Sequence, residues 1–121
     1  MKRTFRFLAV LMTAAAAACG GSGGYGGVSN PPPPPPDPRT VTATSSLTFG
    51  PTSLTVAVGD TVTFDFQSIA HNVFFDPQPG APADIAGSNA NTSVTRVFTT
   101  AGTYHYTCHI HPFMQGTIVV Q

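Results

Sequence analysis

The chain has 121 residues, which is enough for one domain, and its five Lys and Arg residues are balanced by five acidic residues. Three of the cations lie within the first six residues, so the rest of the chain has two Arg and five Asp residues. Proteins that bind nucleic acid carry clusters of Lys and Arg. This charge distribution argues against nucleic acid as a partner.

The first 18 residues are typical of an export signal. A basic start precedes the mostly apolar run 7–18, which is short for a membrane span but fits the apolar region of a signal peptide. Residues 16–20 are Ala-Ala-Ala-Cys-Gly and resemble a bacterial lipobox, so we expect a lipid on Cys19 to anchor the protein to a membrane. Cleavage after one of the alanines, without lipidation, is the alternative. We predict an exported protein on the periplasmic or cell-surface side of a bacterial membrane.

Residues 19–40 form a predicted linker between this signal and a folded domain at residues 41–121. Glycines are concentrated at 20–27, and prolines occupy every position from 31 to 36. Glycine-rich chain is flexible and polyproline is stiff, so the composition predicts a disordered spacer. A proline-rich segment can also bind partner domains, but a position between an anchor and a domain favours the spacer.

Two cysteines, Cys19 and Cys108, allow at most one internal disulfide. That bond would join the domain to the far end of the linker and constrain little native structure, so we do not expect it. If Cys19 carries a lipid, Cys108 is an unpaired thiol in an exported protein. A thiol in that position usually has a chemical role.

Residues 41–121 have the pattern of an all-β domain. Apolar and polar residues alternate at 54–58 and at 62–66, and Gly59-Asp60 between them predicts a β-hairpin. Further strands are predicted at 72–75, 93–98, 102–108 and 116–120, with a turn at Gly87 and a long loop at 76–91 in which a helical turn is possible. Many short strands without a helical period predict a Greek-key β-sandwich of two sheets.

Strand alternation sorts the side chains of residues 104–108. Tyr104, Tyr106 and Cys108 share one face of the predicted strand, and His105 lies on the other. We expect the tyrosines and Cys108 to point into the sandwich. His105 should then point to solvent and take no part in a site.

A group of soft and borderline metal ligands follows this strand. Cys108, His111 and Met114 are three residues apart, and His71 lies upstream. A thiolate, two imidazoles and a thioether are the donors of mononuclear copper electron-transfer sites. His109 is an alternative to His111, although it would face away from Cys108 if the strand continued.

Each of these residues also has an ordinary interpretation. A single histidine is usually a loop residue, a single methionine fills a core, and a single cysteine is a small buried side chain. Zinc could use the imidazoles and the thiolate, but a thioether is not among its usual ligands. The co-occurrence of all four in a β-domain therefore predicts a copper site.

The domain resembles the cupredoxins, particularly the plastocyanin and amicyanin group, over nearly all of residues 41–121. The resemblance is carried by Phe49-Gly50-Pro51, Val58-Gly59-Asp60-Thr61-Val62, His71-Asn72-Val73, residues 98–104 and the Cys-His-Ile-His-Pro-Phe-Met sequence of residues 108–114. The short Cys-x-x-His-x-x-Met loop is similar to that of amicyanin.

This resemblance implies a type 1 blue copper site that holds one copper ion, with His71, Cys108, His111 and Met114 as its ligands. It also implies that Asn72 helps to tie the two ligand loops together. His109 departs from the family pattern, because relatives commonly carry a small or polar residue at that position.

The expected function is one-electron transfer without catalysis, because protein side chains would fill the coordination positions of the copper. We expect a monomer that docks transiently with redox proteins through an apolar patch around His111, Pro112 and Phe113. Copper storage or delivery with the same ligands is one alternative. A metal-free structural module is a weaker one.

Overall fold

A computed structural model describes residues 37–121, and these form two β-sheets with a shared core. The predicted signal peptide, the lipid on Cys19 and the linker up to residue 36 lie outside the described residues. The first strand begins at Thr40, just before the predicted start of the domain. Within the described part of the chain there is no helix with the length and apolarity needed to cross a membrane.

Nine strands occur in these residues. One sheet contains β1 (Thr40–Ala43), β2 (Phe49–Gly50), β4 (Thr61–Phe66) and β7 (Thr92–Val97), in the order β2-β1-β4-β7. The other contains β3 (Ser53–Val56), β5 (His71–Phe75), β6 (Ile85–Asn89), β8 (Gly102–Thr107) and β9 (Gln115–Val120), in the order β3-β9-β8-β5-β6. Most connections between successive strands pass from one sheet to the other, whereas β1–β2, β5–β6 and β8–β9 are paired within a sheet. The predicted all-β sandwich is confirmed.

The predicted hairpin at residues 54–66 is wrong. Strand β3 pairs in parallel with β9, whereas β4 lies between β1 and β7 in the other sheet. Two main-chain donors of the connecting turn bind outside it, from Val58 to Gln121 at 3.3 Å and from Gly59 to Phe98 at 2.7 Å. Alternation indicated correctly which face of each strand is buried, but it does not determine which strand pairs with which.

The prediction of a loop at 76–91, with a turn at Gly87, is wrong for the part that forms β6. This strand pairs antiparallel with β5, and Gly87 lies inside it with a φ of 83°. A sequence of Ile, Ala, Gly, Ser and Asn has neither apolar alternation nor high β-propensity, so pattern analysis missed it. The short strands β1 and β2 are not among the predicted strands either, and β2, with two residues, is too short for a period to be detected.

Aromatic rings fill much of the space between the sheets. Tyr106 packs edge-on against Phe49, Phe64 and Phe75, with ring centroids 5.0, 5.6 and 5.9 Å apart. Such contacts contribute about 0.5–1.5 kcal/mol each beyond the burial of their area. Tyr104 is buried too, so the predicted inward orientation of the two tyrosines is confirmed.

Those two tyrosines differ in the hydrogen bonding of their hydroxyl groups, and this difference is testable. The Tyr104 hydroxyl donates to the Thr100 carbonyl at 2.8 Å. The Tyr106 hydroxyl has no hydrogen-bond partner among residues 37–121, and burial raises its pKa. We predict that Tyr104→Phe lowers the free energy of unfolding by about 1 kcal/mol, whereas Tyr106→Phe leaves it unchanged or raises it. Urea unfolding of the two variants measures both effects, and equal losses would contradict this interpretation.

Candidate metal centre

The ends of three inner strands lie at the same end of the five-stranded sheet. Strand β5 begins at His71, β8 ends at Thr107, and β9 begins at Gln115. Strand β8 is antiparallel to both β5 and β9, and its last residue, Thr107, pairs with Gln115 of β9 and with Phe74 of β5. The chain that leaves β8 after Thr107 therefore runs back along β5 towards His71. Cys108 is therefore brought close to His71, and residues 108–114 form the loop between β8 and β9.

Side chains of His71, Cys108 and His111 converge at this end of the sheet. The Cys108 Sγ atom lies 4.0 Å from Nδ1 of His71 and 4.0 Å from Nδ1 of His111, and the two Nδ1 atoms are 3.2 Å apart. His71 and Cys108 are fully buried, and His111 is half-buried. Three electron-pair donors that face one another in this way fit a single cation. It is the one such cluster found in the part of the chain that the structure describes.

Met114, the fourth predicted ligand, is buried at the end of the same loop. Its main-chain N–H donates to the His111 carbonyl at 2.9 Å, and its carbonyl accepts from the Cys108 N–H at 3.0 Å. These two bonds close the loop, so Cys108, His111 and Met114 are held in one compact unit.

A main-chain carbonyl fixes the orientation of the His71 ring. The Nε2 atom lies 3.1 Å from the Thr44 carbonyl oxygen. Because a carbonyl can only accept, Nε2 carries the proton and Nδ1 keeps its lone pair for a metal. Burial lowers the pKa of His71, the hydrogen bond to Thr44 opposes this effect, and the neighbouring His111 lowers the pKa further. A neutral ring is the form that binds a metal ion.

Asn72 joins β5 to the loop that carries Cys108. Its Oδ1 atom accepts from the His109 N–H at 2.7 Å, and its Nδ2 atom donates to the Gly87 carbonyl at 3.2 Å. The first of these bonds joins β5 directly to the chain that follows Cys108.

Two further histidines lie outside the cluster. His105 is exposed, as alternation predicted, and its Nδ1 atom lies 2.9 Å from the Thr117 hydroxyl. His109 is exposed as well, and its ring stacks on Phe74. The structure therefore gives no support to His109 as a substitute for His111.

Two contacts beside the cluster are not predicted from the sequence, that of His71 with the Thr44 carbonyl and that of His109 with Phe74. The Thr44 carbonyl could not be found, because a main-chain group carries no residue-specific signal. Phe74 could have been noticed, since alternation along β5 places it on the outer face of the sheet together with Asn72.

Apolar side chains surround His111 at the surface. Phe113 is 66% exposed and Ile110 is 41% exposed, and Pro112 between them in the chain is exposed as well. The rings of His111 and Phe113 are 6.3 Å apart. The half-buried imidazole thus lies within a small apolar surface.

Residues 38–121 match the family model described as copper binding proteins, plastocyanin/azurin family. Amicyanin-alpha from Methylorubrum extorquens is 32% identical over 80 residues, which are 64% of this chain and 67% of that protein. A copper-containing nitrite reductase from Thermus scotoductus has a TM-score of 0.61 at 30% identity, over 72% of this chain but 23% of the reductase chain. A reduced Cu(I) form of an amicyanin variant has a TM-score of 0.58 at 32% identity, over 68% of this chain and 80% of that one.

Proposed function

This chain belongs to the plastocyanin/azurin family of copper-binding proteins, and from that premise we propose that it carries single electrons on one copper ion. The proposed ligands are His71, Cys108, His111 and Met114. One observation carries the proposal: the Nδ1 atoms of the two histidines and the Sγ atom of Cys108 lie within 4.0 Å of one another.

The chemistry of these donors fits copper. Imidazole nitrogen, thiolate sulfur and thioether sulfur together suit this metal, whereas zinc sites rarely use methionine. Copper, when bound, supplies a one-electron couple between Cu(I) and Cu(II). Residues of the chain supply the fixed geometry around that couple.

Hydrogen bonds outside the cluster hold the donors in place. Thr44 fixes the His71 ring, Asn72 holds the main chain beside Cys108, and the two main-chain bonds of Met114 close the loop. Burial of His71 and Cys108 excludes water from their donor atoms. Donors that are fixed and dry before the metal binds need little movement when its charge changes, and this favours rapid electron exchange.

Alternative functions fit these features less well. Storage or delivery of copper is not favoured, because release of an ion from buried and tightly bonded donors would require the site to open. A metal-free structural role would leave two imidazoles and a thiol facing one another at a cost in stability. The match to nitrite reductase covers 23% of that chain, so it supports a shared domain and not a shared activity. With four side chains as ligands, the site offers no coordination position to a substrate, and we propose that the protein is not an enzyme.

We further propose that Ile110, Pro112 and Phe113 form the docking surface for redox partners. The patch surrounds the one proposed ligand, His111, that is not fully buried. A small apolar patch suits brief contacts, since electron-transfer complexes must dissociate quickly. The protein would act as a monomer in these encounters.

The sequence also supports export and a membrane anchor. Residues 1–18 have the composition of a signal peptide, and Cys19 lies at the position of a lipobox cysteine. A lipid there would leave Cys108 free to bind metal, because no disulfide could form between them.

A metal titration tests the proposed ligands. Adding Cu(II) to the purified protein should produce an intense visible band from thiolate-to-copper charge transfer, and Cys108→Ser should abolish it. Met114→Gln should keep the band and lower the reduction potential, because the potential would depend on the thioether that Met114 supplies. His105→Ala is the matched control and should keep both. Absence of colour in the unmodified protein, or a band that survives His111→Ala but not His109→Ala, would refute the assignment.

The docking surface can be tested without a known partner. Electron self-exchange between two copies of the protein should proceed through the apolar patch, so Phe113→Ser should slow it. We expect a decrease of about fivefold or more, which corresponds to the loss of about 1 kcal/mol of contact energy. Val97→Ser is the control, because Val97 is 50% exposed but lies on β7 of the other sheet. Similar rates for the two variants would count against this surface.

Expression of the full chain in a bacterium tests the anchor. The unmodified protein should partition with membranes and should carry a lipid at its new N-terminus, detected by mass spectrometry. Cys19→Ala should move it to the soluble exported fraction, because no other anchor is proposed. A mature chain that begins after an alanine and lacks a lipid would favour ordinary signal cleavage.

A further inference from the structure

The ring of His109 stacks on the ring of Phe74. Their centroids are 3.9 Å apart, and their planes are inclined by 7°. The benzene ring therefore covers one face of the imidazole, although His109 as a whole is exposed and Phe74 is half-buried. The proposed function assigns no role to either side chain.

This stack lies just beyond the last pair of the β5–β8 ladder. Phe74 pairs with Thr107, which is the last residue of β8. The stack shows that the ring of His109, two residues further on, lies on the same outer face as Phe74. Phe74 and His109 are then diagonal cross-strand neighbours, a relation within reach of aromatic side chains. The stack continues the contact between β5 and the chain after β8 to a point where regular pairing has ended.

Residue 109 is therefore attached to β5 twice. Its main-chain N–H donates to Asn72 Oδ1 at 2.7 Å, and its ring packs on Phe74. Cys108 lies between this attachment and the paired residue Thr107. His71 is the first residue of the same strand, β5, so both attachments connect the thiol to the strand that carries its neighbouring imidazole.

We propose that the stack of His109 on Phe74 positions Cys108. It restrains the main chain on the C-terminal side of Cys108, and with Asn72 it sets the position of the sulfur relative to Nδ1 of His71. The planar face of the His109 ring is what matters, and its nitrogen atoms take no part. This inference deepens the proposed copper site and rests on it.

Variants of the full chain test the proposal. His109→Ala removes the ring, Phe74→Leu keeps an apolar side chain but removes the planar face, and His109→Phe keeps a ring without nitrogen. His105→Ala is the matched control, because it removes an exposed histidine that binds Thr117 outside the cluster. The measurements are the rate of copper loss to a chelator and the copper hyperfine splitting.

We expect His109→Ala and Phe74→Leu each to increase the rate of copper loss by roughly two- to tenfold, the range expected for one aromatic contact. Both should change the hyperfine splitting while the blue colour remains. The double variant should lose copper no faster than the worse single variant, because both changes remove the same contact. His109→Phe should keep the rate of copper loss and the spectrum of the unmodified protein, and His105→Ala should alter neither.

Any of three results would overturn the proposal. His109→Ala could behave like His105→Ala, the effects of His109→Ala and Phe74→Leu on the rate of copper loss could add in the double variant, or His109→Phe could lose copper as fast as His109→Ala. A double-mutant cycle on the free energy of unfolding of the copper-free chain measures the interaction free energy between His109 and Phe74. If the unmodified protein takes up no copper, the proposed function fails. The copper-free cycle would then still decide whether the stack holds the chain at Cys108.

Discussion

Antiparallel pairing of β8 with β5 on one side and with β9 on the other is the constraint on which the site depends. It brings the first residue of β5 next to the chain that leaves β8, although His71 and Cys108 are far apart in sequence. The connection to β9 must then turn within residues 108–114, and this turn carries the second imidazole to the same place. Without this pairing, the donor atoms of His71, Cys108 and His111 would not lie close enough together to bind one metal ion.

Contacts outside the ligand cluster convert this proximity into a fixed geometry. Groups from other parts of the chain restrain two of the ligand residues: the Thr44 carbonyl holds His71, and Asn72 holds the chain after Cys108. Met114 is held by main-chain bonds within its own loop. A site organised in this way is suited to a metal that changes charge without changing position. It is less suited to an ion that must enter and leave often.

The sequence contained most of the chemistry of the site and part of the fold. Spacing and strand parity predicted that Cys108 points inward, that His105 points outward and that the domain is a β-sandwich, because these depend on local alternation. Pairing between strands is not local, which explains the incorrect hairpin at residues 54–66. The strand at Ile85–Asn89 was missed because its composition is typical of a loop. The Thr44 carbonyl was beyond any pattern analysis, since its role depends only on where the chain passes.

The central claim is that the fold, and not the metal, sets the positions of the ligand atoms. Crystal structures of the copper-free protein and of both oxidation states of the copper-loaded protein test this claim most directly. The account predicts that Nδ1 of His71, Nδ1 of His111 and Sγ of Cys108 keep the same positions in all three, with Nε2 of His71 still bound to the Thr44 carbonyl. A copper-free structure in which the His71 ring has turned away from Thr44, or a loaded one in which His109 binds the metal, would contradict it.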